Sequence, residues 1–309
     1  MKIVSMPSSP RQGGNGTFDA GIAYQGKETW MEERIRSEVG RFVRESPLNR
    51  FPDGDEPYFD EPLVGFAAAD DPIFNEYKQI IGEFHRTPRE VMASVLGEAA
   101  HAASVISWIL PITRQTRESN RYEAEYPSQA WARTRNFGEQ FNAALRRHLV
   151  AWLEGQGRQA VAPQLAPNWQ EHGETPVGIA STWSERHAAY AAGLGTFSLN
   201  DALITPRGIA HRCGSLITDL TLAPSRRPYP HFRHNCLFYR EGSCGLCIGR
   251  CPVGALSREG HDKILCRQYV YGTVVSAVAE RHGVQQAGCG LCQTRVPCEG
   301  QIPSGAGQA

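Results

Sequence analysis

The sequence predicts an α/β layer followed by a small cysteine module, and three observations lead there. Strand-like and helix-like segments alternate through about residue 222, which implies a sheet with helices on its faces. The stretch Ala223-Pro224-Ser225-Arg226-Arg227-Pro228-Tyr229-Pro230 then breaks regular structure with three prolines. All nine cysteines of the 309-residue chain fall between Cys213 and Cys298. These mark an N-terminal arm and helix (1–59), an α/β domain (60–222) and a cysteine domain (223–309).

Residues 1 to about 27, rich in Gly, Ser and Pro, read as an arm. Met31, Ile35, Val39 and Phe42 then recur every three or four positions, the stripe of an amphipathic helix from Trp30 to Phe42, which the polar stretch from Pro47 to Glu61 ends. Leu63 to Ala67 reads as a buried strand. Thr87-Pro88-Arg89-Glu90 combines the capping-box pair with proline at the first helical position, so a helix is expected from there to about Ala102. Ser104 to Leu110 is strand-like and is stopped by Pro111; a polar loop follows.

Phe137, Phe141, Leu145, Leu149 and Leu153 repeat every four residues and run into Gly155 and Gly157, the strongest helical pattern in the chain. Further strands are expected at Gln159 to Pro163, Leu203 to Thr205 and Ser215 to Leu222, with a short helix at Glu185 to Ala192 closed by Gly193. Beyond the prolines, Asp262 to His282 reads as a helix carrying Cys266 in its first turns.

The 32 basic residues balance the 32 acidic ones, so no global field draws the chain toward nucleic acid or an anionic membrane. No apolar segment of signal or spanning length follows Met1-Lys2-Ile3-Val4, and a cytoplasmic protein without membrane contact is expected. In a reducing compartment, clustered thiols argue for metal ligation over disulfides.

Thiolates are soft donors, and short spacers let a loop wrap a small inorganic centre. Cys244-Gly245-Leu246-Cys247-Ile248-Gly249-Arg250-Cys251-Pro252 matches the last three positions of the bacterial ferredoxin run, in which the fourth cysteine serves the other cluster. The usual first cysteine would fall at Glu241, so Cys236 is expected to take its place across a longer loop. With Cys266, the second copy Cys289-Gly290-Leu291-Cys292, and Cys298, eight thiols suffice for two 4Fe-4S clusters. A pair of four-cysteine zinc sites in a nucleic-acid-binding protein is the competing reading, but zinc requires neither Cys251-Pro252 nor the wider second group.

Glu185-Arg186, Ala192-Gly193-Leu194-Gly195, Asn200, Leu203-Ile204-Thr205-Pro206-x-Gly208 and Ile217-Thr218-Asp219-Leu220, all ahead of an eight-thiol module, resemble the epoxyqueuosine reductases. The set is also similar to the cobalamin-dependent reductive dehalogenases. The likeness covers roughly residues 60–298 and is strongest from Glu185 onward. It implies an α+β, nitroreductase-like cobalamin-binding core followed by a ferredoxin-like dicluster domain. It further implies one cluster on Cys236, Cys244, Cys247 and Cys298 and the other on Cys251, Cys266, Cys289 and Cys292. By the same resemblance Arg186 would lie near the cobalt on its lower face, and Gly193, Gly195, Asn200 and Thr205 would border the corrin. Electrons would come from a ferredoxin or flavodoxin. Because nitroreductase-like scaffolds also hold flavins, a dicluster flavoprotein is the alternative.

One departure bears on the reaction. The epoxyqueuosine reductases carry a proton-donating aspartate seven residues before the arginine, and here that position is Ile179, which cannot give a proton. Tyr122, Tyr126, Tyr190, His187 and His211 are the candidate replacements. The substrate implied is a small organic or nucleoside-like molecule, and tRNA is not favoured by the neutral charge. Arg226, Arg227, His231, Arg233 and His234 form a basic group around the linker, whose default reading is solvated surface. Cys213, the ninth thiol, is either a small buried apolar residue or a thiol near the cofactor.

Overall fold

Ser104–Pro111, buried at every position, is the strand around which the chain is built. The computed structural model describes residues 22–305. Most of the arm expected over residues 1 to about 27 lies outside that range, and its last residues are helical instead: α1 spans Ile22–Glu45. A 3₁₀ turn (Pro47–Asn49) and coil lead to β1 (Leu63–Ala68), followed by α2 (Ile73–Ile81), α3 (Pro88–Leu96), β2 (Ser104–Pro111), α4 (Arg114–Arg121) and α5 (Gln129–Glu154). Next come β3 (Ala160–Val161), the short ribbon β4 (Glu171–His172) and β5 (Ala180–Ser181), α6 (Glu185–Ala191), the hairpin β6 (Thr196–Phe197) and β7 (Leu203–Ile204), and β8 (His211–Thr218).

The sheet runs β1-β2-β8-β3 and every pairing is antiparallel. Its two faces follow the strict alternation of strand side chains. Phe66, Ile106, Trp108, Leu110 and Leu216 point to one side, where α1 and α5 bring Ile35, Val39, Phe141, Leu145 and Leu149. Ala67, Val105 and Ile217 point to the other, against Phe74 and Tyr77 of α2, Val91 and Met92 of α3, Trp183, and Ala188 and Ala191 of α6. Each large apolar side chain so buried contributes about 1.5–3 kcal/mol.

The departures from the sequence-based expectation have local causes. The α3 capping box forms as expected, with Glu90 N donating to Thr87 Oγ1 and Thr87 N to Glu90 Oε2. The helix nevertheless stops at Leu96 rather than near Ala102, because Gly97 takes φ 96 and donates to Ala93 O. Helices α2 and α4 have no counterpart in the expected elements, and β7 belongs to its own hairpin rather than to the main sheet. The proline-rich stretch has no regular structure, yet it is no free linker. Phe66 N donates to Ser225 Oγ at 3.0 Å and Ser225 N to Phe66 O at 2.9 Å, so it straps the outer edge of β1.

The cysteine module contains α7 (Leu237–Glu241), α8 (Leu246–Gly249), the hairpin β9 (Leu256–Ser257) and β10 (Gly260–His261), α9 (Lys263–Gln268), a π-helical turn (Tyr269–Thr273), α10 (Val274–His282) and a 3₁₀ turn (Leu291–Gln293). The helix expected over Asp262 to His282 is this run, capped at its start by Asp262 and ended by Gly283 at φ 67. The module shares its core with the layer beneath. Tyr269, Val274, Val278 and Ala287 pack on Ala132 of α5, and Cys236 and Val296 pack on Ala202, Ile204 and Ile209. Arg250 fastens the two parts by donating to the carbonyls of Leu291, Thr294, Glu123 and Asn120. Among the described residues no helix is long and apolar enough to cross a membrane.

Candidate functional site

All nine cysteines are free thiols. Their mutual electrostatics sort eight of them. Burial first, and then the neighbouring thiols Cys236 and Cys244, raise Cys247 and Cys298, with Cys247 also acting on Cys298, whereas burial and then Cys266 and Cys251 raise Cys289. Cys292 responds to Cys289 and Cys266 and then to Cys247, so it lies where the two groups approach each other. Cys236, Cys244, Cys247 and Cys298 line one cavity, walled otherwise by apolar groups such as Leu199, Ile204, Phe238 and Val296. Cys236, the N-cap of α7, is one of the residues lining that cavity, while Glu241 lies at the far end of the helix.

The donor set fits iron-sulfur centres. Burial, reinforced by neighbouring thiols, pushes Cys247 up to about 12 and Cys289 up to about 11. A thiolate is therefore unfavourable at either position unless a cationic centre compensates it. Among the described residues no group of three or more His, Cys, Asp or Glu side chains is set to hold a single metal ion. In a cubane each thiol takes a different iron, so convergence on one point is not required.

The start of β8 has no further strand beside it. β3 pairs only with Ile217 and Thr218 at the end of β8. Nearer the start of β8, side chains of α5 take over, and Asn142 Nδ2 and Arg146 Nη2 both donate to Cys213 O, at 2.9 and 3.3 Å. His211, Arg212 and Cys213 are each partly accessible yet strongly desolvated, and from this we infer a recess at the start of β8.

Behind the recess lies a buried ion network. Arg146, its side chain 2% exposed, donates to Glu139 at 3.0 Å and to Glu185 at 3.1 Å. Arg212 pairs with Glu139, and Ser215 Oγ donates to Glu185. Burial opposes the charge of Glu139, but Arg212 and Arg146 outweigh it and hold the carboxyl down at about 2. At Glu185 burial wins and the carboxyl is raised.

Of the residues expected around a cofactor, Arg186 is the one with an exposed side chain. It gives Nη1 to Asp201 O at 2.7 Å and acts electrostatically on His211 and Cys213. Gly193, at φ 75, closes α6, and a side chain there would run into the backbone of Arg226. A Cβ on Gly195 would lie 2.6 Å from Ile204 O. Asn200 is committed to Cys292 O, Ala202 N and Ser198 Oγ, and Thr205 Oγ1 to the turn at Gly208. Each of these four is thus also held by contacts within the protein.

The candidate acids separate equally clearly. Tyr122 is 90% exposed, Tyr126 packs against the cysteine module, and Tyr190 packs against Phe197. His187 Nδ1 lies 2.8 Å from Ser184 Oγ under the ring of Tyr77. Only His211 lies in the recess, with Nε2 2.9 Å from Leu203 O and Nδ1 3.6 Å from Cys213 Sγ. Burial lowers His211 to about 4 and raises Cys213 to about 12, so the pair is a neutral imidazole and a protonated thiol. The basic group around the linker is largely engaged: Arg227 pairs with Asp71 at 2.8 Å and Arg233 lies over Tyr239 at 4.0 Å.

No protein-family model and no curated protein matches the chain. Solved structures do. A catabolic reductive dehalogenase, NpRdhA, superposes with TM-score 0.50 over 88% of this chain and 37% of its own, at 15% identity. Over that span the fold is like that of the reductive dehalogenase, of which this chain matches about a third. A selenomethionine-labelled epoxyqueuosine reductase aligns over 91% of this chain and 70% of its own, at 18% identity and TM-score 0.48. That of Bacillus subtilis does so over 91% and 69%, at 17% and 0.45. The dehalogenase fold therefore extends beyond residues 60–298, the span of the motif resemblance, while identities this low convey architecture and not activity.

Proposed function

We propose that this chain is a reductase whose cysteine module, ferredoxin-like in kind, holds two 4Fe-4S clusters and whose recess holds a corrinoid. Its substrate would be a small organic or nucleoside-like molecule, and its electrons would come from a ferredoxin or flavodoxin. Cys236, Cys244, Cys247 and Cys298 would hold one cluster and Cys251, Cys266, Cys289 and Cys292 the other. The observation that carries this reading is the cavity lined by Cys236, Cys244, Cys247 and Cys298, with four further thiols in the same module. When bound, these groups supply one-electron carriage and low-valent metal chemistry.

The chain's own residues do the rest. Arg186 presents a cation at the mouth of the recess, held in place by the Asp201 carbonyl. The Glu139–Arg146–Glu185 network fixes the floor beneath it. With no acid at Ile179, the proton-bearing groups in the recess are the Cys213 thiol and His211. The carbonyl of Leu203 accepts from His211 Nε2, which leaves Nδ1 as the acceptor for the thiol hydrogen.

Metal and cofactor analysis of protein purified without oxygen tests the reading. About eight iron atoms per chain and uptake of cobalamin are expected. A flavin band without cobalamin uptake moves the cofactor assignment to the flavoprotein, and about two zinc ions without iron overturns the redox reading altogether.

A further inference from the structure

The cavity of the first thiol group is bordered by a contiguous patch that is both apolar and basic. Leu246 stands in the chain between Gly245 and Cys247 of the cavity wall, and its side chain is 57% exposed. Cys244 and Cys247 are themselves partly accessible. Phe238 lines the same cavity from α7, and its ring meets that of Tyr239 edge-on at 5.2 Å. Arginines flank this pair. The guanidinium of Arg258 lies 5.3 Å from the centre of the Phe238 ring, and that of Arg233 lies 4.0 Å from the centre of the Tyr239 ring.

A ring stabilises a guanidinium laid over it but does not neutralise its charge. Elsewhere in the stretch 226–259, Arg227 pairs with Asp71, Arg240 pairs with Glu241, and Arg250 is committed to backbone carbonyls. Arg233 and Arg258 form no ion pair among the described residues, and Glu241 and Glu259 are the only acidic residues of the stretch. At the other exposed apolar side chains of the module, Ile264 and Tyr271, the charges are balanced. Arg267, 5.5 Å from the Tyr271 ring, pairs with Glu171, and Lys263 Nζ lies 3.7 Å from the Asp201 carboxylate.

An exposed apolar centre rimmed by unpaired cations is the make-up of a transient interface. The apolar group loses water on contact, while the charges steer a partner of opposite sign and fix its orientation. The partner that fits is acidic. A cluster on four thiolates is anionic and would repel it, and the arginine rim offsets that repulsion.

We propose that the patch formed by Leu246, Phe238, Tyr239, Arg233 and Arg258 is the docking face for a small acidic protein that carries one electron at a time. This rests on the reading that the first thiol group holds a cluster. In the step, the docked carrier is oxidised by one electron and the cluster is reduced by it; no bond forms or breaks.

The test uses the full chain prepared without oxygen, its iron counted first, with reduced acidic flavodoxin as the probe. Stopped flow follows the bleaching of the cluster absorbance across a salt series. The wild-type rate should fall steeply with salt. Arg233→Glu combined with Arg258→Glu should lower the low-salt rate roughly tenfold or more and flatten its salt dependence. Arg233→Lys combined with Arg258→Lys keeps both charges and should keep both properties. Reduced methyl viologen, a small cation that needs no docking face, should reduce the glutamate variant no more slowly than wild type. If that variant loses iron, Arg258→Gln decides, with a smaller drop expected at its exposed position. Flavodoxin rates insensitive to salt or to the variants, with iron retained, overturn the proposal alone. So does equal slowing with methyl viologen, which would assign the arginines to the cluster's own charge balance. An RNA stem-loop bound by wild type and lost by the glutamate variant, with flavodoxin rates unchanged, would give the face to nucleic acid instead. Wild-type protein without iron overturns the underlying reading and the proposal with it.

Discussion

The indole of Trp131 occupies the space where a side chain on Gly290 would have to go. Gly290 also sits at φ 68, whereas Gly245, its counterpart in the first Cys-Gly-Leu-Cys copy, is extended at φ 178, and a Cβ there would stand 3.5 Å from its nearest neighbour, Ile248 Cδ1. The two copies are therefore alike in sequence and unlike in geometry. Gly290→Ala should cost at least about 2 kcal/mol, from backbone strain and overlap together, and reduce iron content, while Gly245→Ala should leave both nearly unchanged. Thermal melts and iron assays of the two variants check this, and equal behaviour would contradict it.

Cys213 stands apart from both thiol groups, on β8 beside His211. Cys213→Ala should therefore retain the full iron content of wild type. Cys298→Ala, which removes a wall of the first cavity, should lose about half of it. Iron loss in Cys213→Ala would mean that the ninth thiol is a ligand.

Arg186 reaches the recess without touching either thiol group directly. Arg186→Ala should leave cluster absorbance and iron content intact and should alter the spectrum of added cobalamin or weaken its uptake. An unchanged cobalt spectrum would remove Arg186 from the cofactor site.

Arg146 holds two carboxylates with a guanidinium that is almost wholly buried. Arg146→Ala should destabilise the fold by about 3–5 kcal/mol, because it strands Glu139 and Glu185 without their cation. Arg146→Met combined with Glu185→Gln should recover much of that loss in denaturant titrations. A double variant no more stable than the single one would argue against charge stranding as the cause.

His85 is 1% exposed, and neither ring nitrogen has a hydrogen-bond partner among the described residues. Burial, aided by Lys78, lowers it from 6.5 to about 4, so the ring is neutral in the fold. A depressed pKa stabilises the fold above the unfolded value and loses that contribution as pH falls through the folded one. The window is thus about pH 6.5 down to about 4, and linkage sets the loss at roughly 3 kcal/mol. His211, lowered to about 4 by burial, adds to the slope in the same window. His85→Phe should keep the stacking on Trp183 and flatten the acid limb of stability against pH; an unaltered limb would assign it to other groups.

What the residues determined alone was whatever depends on neighbours in the chain. The four-residue repeat of α5, the capping box of α3, the buried apolar run of β2 and the spacing of Cys244, Cys247 and Cys251 are local patterns, and each is legible in the amino-acid order itself. So is the resemblance to the dehalogenase and epoxyqueuosine reductase families, because it rests on motif order. The tertiary structure decided everything that depends on which segments meet. It turned the strands antiparallel, laid the prolines along β1, and set Trp131 against Gly290. It also seated Gly193, Gly195, Asn200 and Thr205 in contacts within the protein and left the Arg186 side chain exposed. Asp201 and His261 lie far apart in the chain and carry no motif, so their contact follows only from the packing of the β6–β7 loop against the cysteine module.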